Sequence, residues 1–234
     1  MRRILPLLVA PALALGGCDD AADPSTILAP DAAAARVEAG HDPAATAHFS
    51  VTITNLTESG QPVTPPLAVV HRRPLSLFSV GEAASFGLKE IAENGNLGPM
   101  HERLAGEHQV ADLLIAAGDP PPLMPGASIT FDLSTERGAK YLSFVSMLIC
   151  TNDGFTALDG LRLPKAVGES VSAYTNAYDA GTEMNTEDFA DLVPPCPVLS
   201  GVESDDDGSG MSDPALAENG VVHPHAGIQG IADL

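Results

Sequence analysis

Short apolar runs recur between Ala47 and Ile149, each separated from the next by proline or glycine, and this punctuation favours strands over long helices. The first, His48-Phe49-Ser50-Val51-Thr52-Ile53-Thr54-Asn55, alternates apolar with polar residues and is rich in β-branched side chains, the pattern of a strand with one buried face. Gln61-Pro62-Val63-Thr64-Pro65-Pro66 reads as a turn into a second strand, Leu67 to His71, and proline at such a place suits a strand start or a sheet edge. Asp112 to Ala116 and Ser128 to Leu133 read as further strands. Tyr141 to Ile149 is apolar on both faces and reads as a central strand. Helix is minor. Leu88, Ile91 and Ala92 share one helical face with Gly95 placed to end it, and a second short helix spans about Gly98 to Gly106. Strands at this spacing with one or two short helices predict an all-β chain folded as an antiparallel β-sandwich.

The first residues carry an address rather than a fold. Met1-Arg2-Arg3 is positive and Ile4 to Leu15 is apolar, about a dozen residues and too short to span a bilayer comfortably. Leu15-Gly16-Gly17-Cys18 resembles the lipobox of bacterial lipoproteins, which implies a signal peptide over 1–17, lipidation of Cys18 and anchoring in the cell envelope, on the periplasmic face or the cell surface. The alternative is an ordinary secretory signal followed by cysteine. Residues 18–46 are rich in Ala, Asp and Pro without periodicity and read as a flexible tether, leaving 47–234 as one domain. Within it, 194–220 reads as an acidic loop rich in Pro, Gly and Ser.

Charge weighs against two classes of partner. The formal net charge is −20, and loss of Arg2 and Arg3 with the signal would take it to −22. Such a surface repels nucleic acid and anionic lipid, and suits cations and basic partners. The imbalance is local: Lys165 is the last basic residue, and thirteen Asp or Glu follow it. Runs of one sign are usually solvated. With Cys18 lipidated, Cys150 and Cys196 remain as a pair in an oxidising compartment. They either bond to each other, closing a loop around both acidic segments described next, or leave Cys150 as a buried thiol beside Leu148 and Ile149.

Those two segments are Thr151 to Gly160 and Tyr178 to Glu183, which set carboxylates among glycines and small residues. If Asp153, Asp159, Asp179 and Glu183 converge, four like charges meet, and a hard divalent cation such as Ca²⁺ resolves their repulsion. Gly154 and Gly181 would then let backbone carbonyls approach the ion, and Asn152 or Asn185 could add neutral oxygens. The competing reading makes Asp153 and Asp179 turn or capping residues bonded to local N–H groups. Asp205-Asp206-Asp207-Gly208-Ser209-Gly210 begins like an EF-hand loop, but position twelve is Leu216 rather than a glutamate, so it reads as a solvated loop. His223 and His225 flank Pro224 and read as structural or surface residues.

Several stretches together resemble the spondin N-terminal domain family. They are Val51 to Thr57, Leu75 to Ser85 with Gly87-Leu88, Ala92 to Asn96, Met147-Leu148, Thr151 to Phe155, Leu158-Asp159, Tyr178 to Glu183, and His225 with Gly227 to Gly230. The resemblance implies a C2-like β-sandwich with a Ca²⁺ site on loops at one end, carried by Asp153, Asp179 and Glu183, with Asp159 a further candidate. It departs from the animal members in having Glu183 where they have Asp, and in ending at Leu234 where relatives continue into a closing strand. It also implies a binding or adhesion module with an unidentified protein or glycan ligand.

No catalytic signature is present: there is no Gly-x-Ser-x-Gly elbow, no His-Glu-x-x-His, no P-loop and no dinucleotide fingerprint. A carboxylate pair of the glycosidase kind would lack sugar platforms, since the chain has no Trp and three Tyr. The expectation is a non-enzymatic, lipid-anchored module with a structural Ca²⁺. The alternatives are a metal-dependent hydrolase using the same acids, and a purely structural lipoprotein without metal.

Overall fold

The computed structural model describes residues 34–41, 46–58, 60–118, 121–135 and 138–234, with 34–41 described by backbone alone. The expected signal peptide, Cys18 and the tether up to residue 33 lie outside the described residues. The tether expectation changes within them. Ala34–His41 forms strand β1, paired along its whole length with β2 (Ala47–Thr54), so backbone order begins before Ala47.

Two antiparallel sheets result, and the sandwich expectation is met. β2 pairs on its other side with β5 (Ser128–Thr135), and β1 pairs with β8 (Ser170–Tyr174), giving the order β5-β2-β1-β8. The second sheet joins β3 (Leu67–His71), β4 (Val110–Ile115), β6 (Tyr141–Met147), β7 (Gly154–Arg162), β9 (Asn176–Asp179) and β10 (His223–Pro224) in the order β10-β9-β7-β6-β3-β4. β7, β8 and β9 lie where the sequence reading saw mainly acidic loops and connections. Their glycines, serines and asparagines dilute the strand pattern.

The alternation in β2 sends Phe49, Val51 and Ile53 inward, against Ala68 and Val70 of β3 and Leu142 and Phe144 of β6. The opposite face of the six-stranded sheet is covered as well. Leu67, Val69, Val145 and Met147 pack under helices α1 (Phe86–Asn94) and α2 (Gly98–Ala105). This second core explains why β6 is apolar on both faces. The Ser85 hydroxyl caps α1 by accepting the Leu88 N–H, and Gly95 ends it in the left-handed region at φ 63°. Among the described residues no helix is long and apolar enough to cross a membrane.

Cys150, just after β6, and Cys196, opening the short helix α3 (Cys196–Ser200), form a disulfide with Cα atoms 5.2 Å apart. It ties the Pro194–Gly220 stretch, expected as a loop, to the end of the central strand. The sequon-like Asn55-Leu56-Thr57 is internal: the Asn55 amide donates to Gln61 and Leu123 carbonyls and accepts from Thr57.

Candidate metal centre

β7 and β9 are paired so that Gly154 lies opposite Asp179. This register sets Asp153, immediately before β7, beside the turn that leaves β9. The Ala180 N–H donates to the Asp153 carbonyl at 3.1 Å, locking the two segments together. Asp153 is wholly buried. Its Oδ2 accepts three hydrogen bonds: from the Thr182 N–H (2.6 Å), the Glu183 N–H (3.1 Å) and the Thr182 hydroxyl (3.2 Å). Among the described residues its Oδ1 has no partner. An ionised carboxylate oxygen left unsatisfied inside a protein is costly. Burial first, and the neighbouring Asp179 charge second, push Asp153 up to about 6 against the pull of its donors.

Asp179, also buried, accepts the Gly181 N–H through Oδ1 (2.7 Å) and the Asn185 amide through Oδ2 (2.6 Å). Glu183 is the third buried acid, and its Oε1 accepts the Asp213 N–H at 2.9 Å. Burial pushes Glu183 up to about 7, with Glu93 and Asp153 adding to the rise. Glu93, buried at the end of α1, binds the Ser212 hydroxyl and has Lys89 Nζ at 3.5 Å. Four buried acids thus follow one another from Glu93 through Glu183 and Asp153 to Asp179.

The turn reading fits Asp179 but not Asp153. Asp179 accepts the Gly181 N–H two residues on, as a turn residue does, whereas Asp153 takes its N–H groups from Thr182 and Glu183 on the other segment and has an oxygen to spare. Asp159 is different. It lies six residues along β7 from Asp153, about 20 Å in an extended strand. There its carboxylate is occupied by the Ser76 hydroxyl (2.7 Å), the Leu77 N–H (3.0 Å) and the Ser143 hydroxyl (3.1 Å). The structure does not bring it to the other acids; Asp159 instead pins the 76–77 loop onto the sheet.

The two glycines also have another purpose. The Gly154 carbonyl accepts the Leu148 N–H and that of Gly181 accepts the Gly220 N–H, both at 2.9 Å, so both carbonyls are spoken for. What matters is room: a Cβ on Gly154 would lie 2.3 Å from Thr151 Oγ1, and one on Gly181 would lie 2.6 Å from the Val221 nitrogen. Asn152 likewise spends its oxygen on the Thr186 N–H. Sequence reasoning passed over Glu93, Asp213 and the two histidines as neighbours of the site. His223 Nδ1 lies 3.6 Å from Asp179 Oδ1. His225 accepts the Gly227 N–H at Nδ1, and burial lowers its pKa. Only their shared position beside Tyr178 and Asp179 links them to the acids, and β10 reaches that position by a pairing that no local pattern announces.

Among the described residues, one group of three acids has ligand oxygens all within 4.8 Å of one another: Asp188, Asp206 and Asp233, of which Asp206 and Asp233 are exposed. Asp188 accepts the Ala190 N–H, and Asp233 accepts the Phe189 N–H and the Ser204 hydroxyl. Asp153, Asp179 and Glu183 do not meet that distance together, although they are far more deeply buried.

The fold is an antiparallel sandwich of two sheets, with three buried acids where β7 begins and β9 ends. A sequence profile of the spondin N-terminal domain (Spondin_N) matches residues 60–190, more than half of the chain, and the chain belongs to that family. No curated protein matches it in a sequence comparison.

Proposed function

We propose that this protein is an envelope-anchored binding or adhesion module whose Asp153, Asp179 and Glu183 hold one structural Ca²⁺. The observation that carries the reading is the bare, buried Oδ1 of Asp153 among two further buried acids. A donor set of carboxylate oxygens without sulfur suits a hard cation. The ion would supply the positive charge that this group of acids lacks and tie the Asp153 turn to the Asp179–Glu183 loop. Burial of all three carboxylates favours a structural ion over one that meets a substrate. The lipobox-like Leu15 to Cys18 supports a lipid anchor in the cell envelope, and family membership supports a protein or glycan ligand of the module.

Calorimetric titration of the full chain with Ca²⁺ tests the centre. One site per chain is expected, lost in Asp153→Asn and in Asp179→Asn and retained in Asp159→Asn. Equal binding by all four proteins would contradict the assignment.

A further inference from the structure

Strand β7 separates the acidic centre at its start from a group of basic side chains at its end. Asp153 precedes the first residue of β7 and Arg162 is its last. The acidic centre and Arg162 are therefore about 30 Å apart along one strand. At Arg162's end the two sheets close around a cleft of about 260 Å³, rimmed by Lys140, Arg162 and Lys165 and floored by Phe49 and Leu163. Lys140, Arg162 and Lys165 are exposed, and among the described residues their side chains make no ion pair or hydrogen bond. Glu169, the acid closest in sequence to Lys165, is occupied by the Lys165 and Ala166 N–H groups. Beside the rim, Val167 stands 62 % exposed, between Lys165 and the left-handed Gly168 (φ +81°).

We propose that this end is a docking surface for an anionic phospholipid bilayer. Charge and shape both favour it. Three unpaired cations suit a sheet of phosphate headgroups, and an apolar side chain protruding among them suits the boundary beneath. The acidic centre does not oppose the contact, because it lies several Debye lengths away, at about 8 Å each in physiological salt. A cation beside an anionic leaflet contributes roughly 1 kcal/mol, about fivefold in partition. The surface is thus a weak contact that orients the domain, turning the acidic centre away from the lipid.

The test is co-sedimentation of the full chain, carrying Cys18→Ser so that no acyl chain contributes, with vesicles of phosphatidylcholine alone or mixed with phosphatidylglycerol. Binding to the mixed vesicles only, abolished by high salt, is expected. Lys140→Gln, Arg162→Gln and Lys165→Gln should each weaken it about fivefold, Val167→Asp should weaken it too, and Arg103→Gln, on α2, should leave it unchanged. Circular dichroism on each variant separates lost binding from lost folding. Equal binding to both vesicle types, insensitivity to salt, or three glutamine variants that bind like the parent would overturn the proposal. So would capture by dextran sulfate with indifference to vesicles, which would make the ligand an anionic glycan.

Discussion

The Asp153 carboxylate receives the Thr182 N–H at 2.6 Å across a gap of 29 residues, and the same side chain leaves its second oxygen without a donor. Oδ2 helps stitch two loops together, and the other oxygen is left bare. The centre is half satisfied by its own backbone, and the proposed cation would complete it.

Stability without metal should fall as pH rises. Asp153 and Glu183 start from ordinary values of 3.8 and 4.5 when unfolded and rise to about 6 and about 7 in the fold. The native state therefore binds more protons than the unfolded chain between those values, and deprotonation across that window destabilises it. Melts in EGTA should show a higher melting temperature at pH 5 than at pH 8, about two pH units outside ordinary carboxylate titration. The opposite slope would contradict the buried-acid account.

Ca²⁺ binding should show the reverse dependence, because the ion needs both carboxylates ionised. Affinity should drop below about pH 7, by roughly tenfold per pH unit for each proton that must leave. Titrations in two buffers of different ionisation enthalpy would count those protons.

Asp179→Asn should relax Asp153. The amide oxygen can still accept the Gly181 N–H, so the turn survives while the second-largest cause of Asp153's raised pKa is removed. The Asp153 carboxyl resonance should titrate closer to an ordinary aspartate, and Ca²⁺ should no longer shift the melt.

Gly181→Ala should destabilise the fold by roughly 2–4 kcal/mol, since left-handed backbone strain adds to a clash with backbone that cannot move aside. Its Cβ would meet the Val221 nitrogen at 2.6 Å and oxygen at 2.7 Å. Gly126→Ala has a similar positive φ (78°) with nothing within 4 Å of the new atom. It should cost only about 1 kcal/mol, the strain alone. Denaturant melts of both variants separate room from conformation.

Loss of the Cys150–Cys196 bridge, by paired serine substitution, should cost about 2–4 kcal/mol. Its effect should be largest on hydrogen exchange in the 183–218 segment, whose strand-like contacts Met184–Leu216 and Glu218–Thr182 hold the wall of the centre.

Periodicity made β2, β3, β5 and β6 legible because one or both of their faces are apolar, and Ser85, Gly95 and the 88/91/92 face did the same for α1. β7 to β9 were obscured because their partners, rather than their own side chains, define them: Thr156 and Thr175 share a hydrogen bond at 2.8 Å that neither sequence position suggests. β1 was obscured by an Ala-rich composition shared with a linker. In the centre, Asp153, Asp179 and Glu183 stood out by composition and family pattern, whereas Glu93 entered through α1 packing. Asp159 misled because the acid spacing is the same whether the intervening residues form a loop or a strand; as β7, they carry it about 20 Å away.

The most direct test is the melting of the full chain in saturating Ca²⁺ and in EGTA, with Asp153→Asn alongside. At a hundred times Kd, linkage predicts about 2.7 kcal/mol of added stability for the parent and none for the variant. Superimposable melts of the parent in Ca²⁺ and EGTA would contradict the centre assigned to Asp153, Asp179 and Glu183.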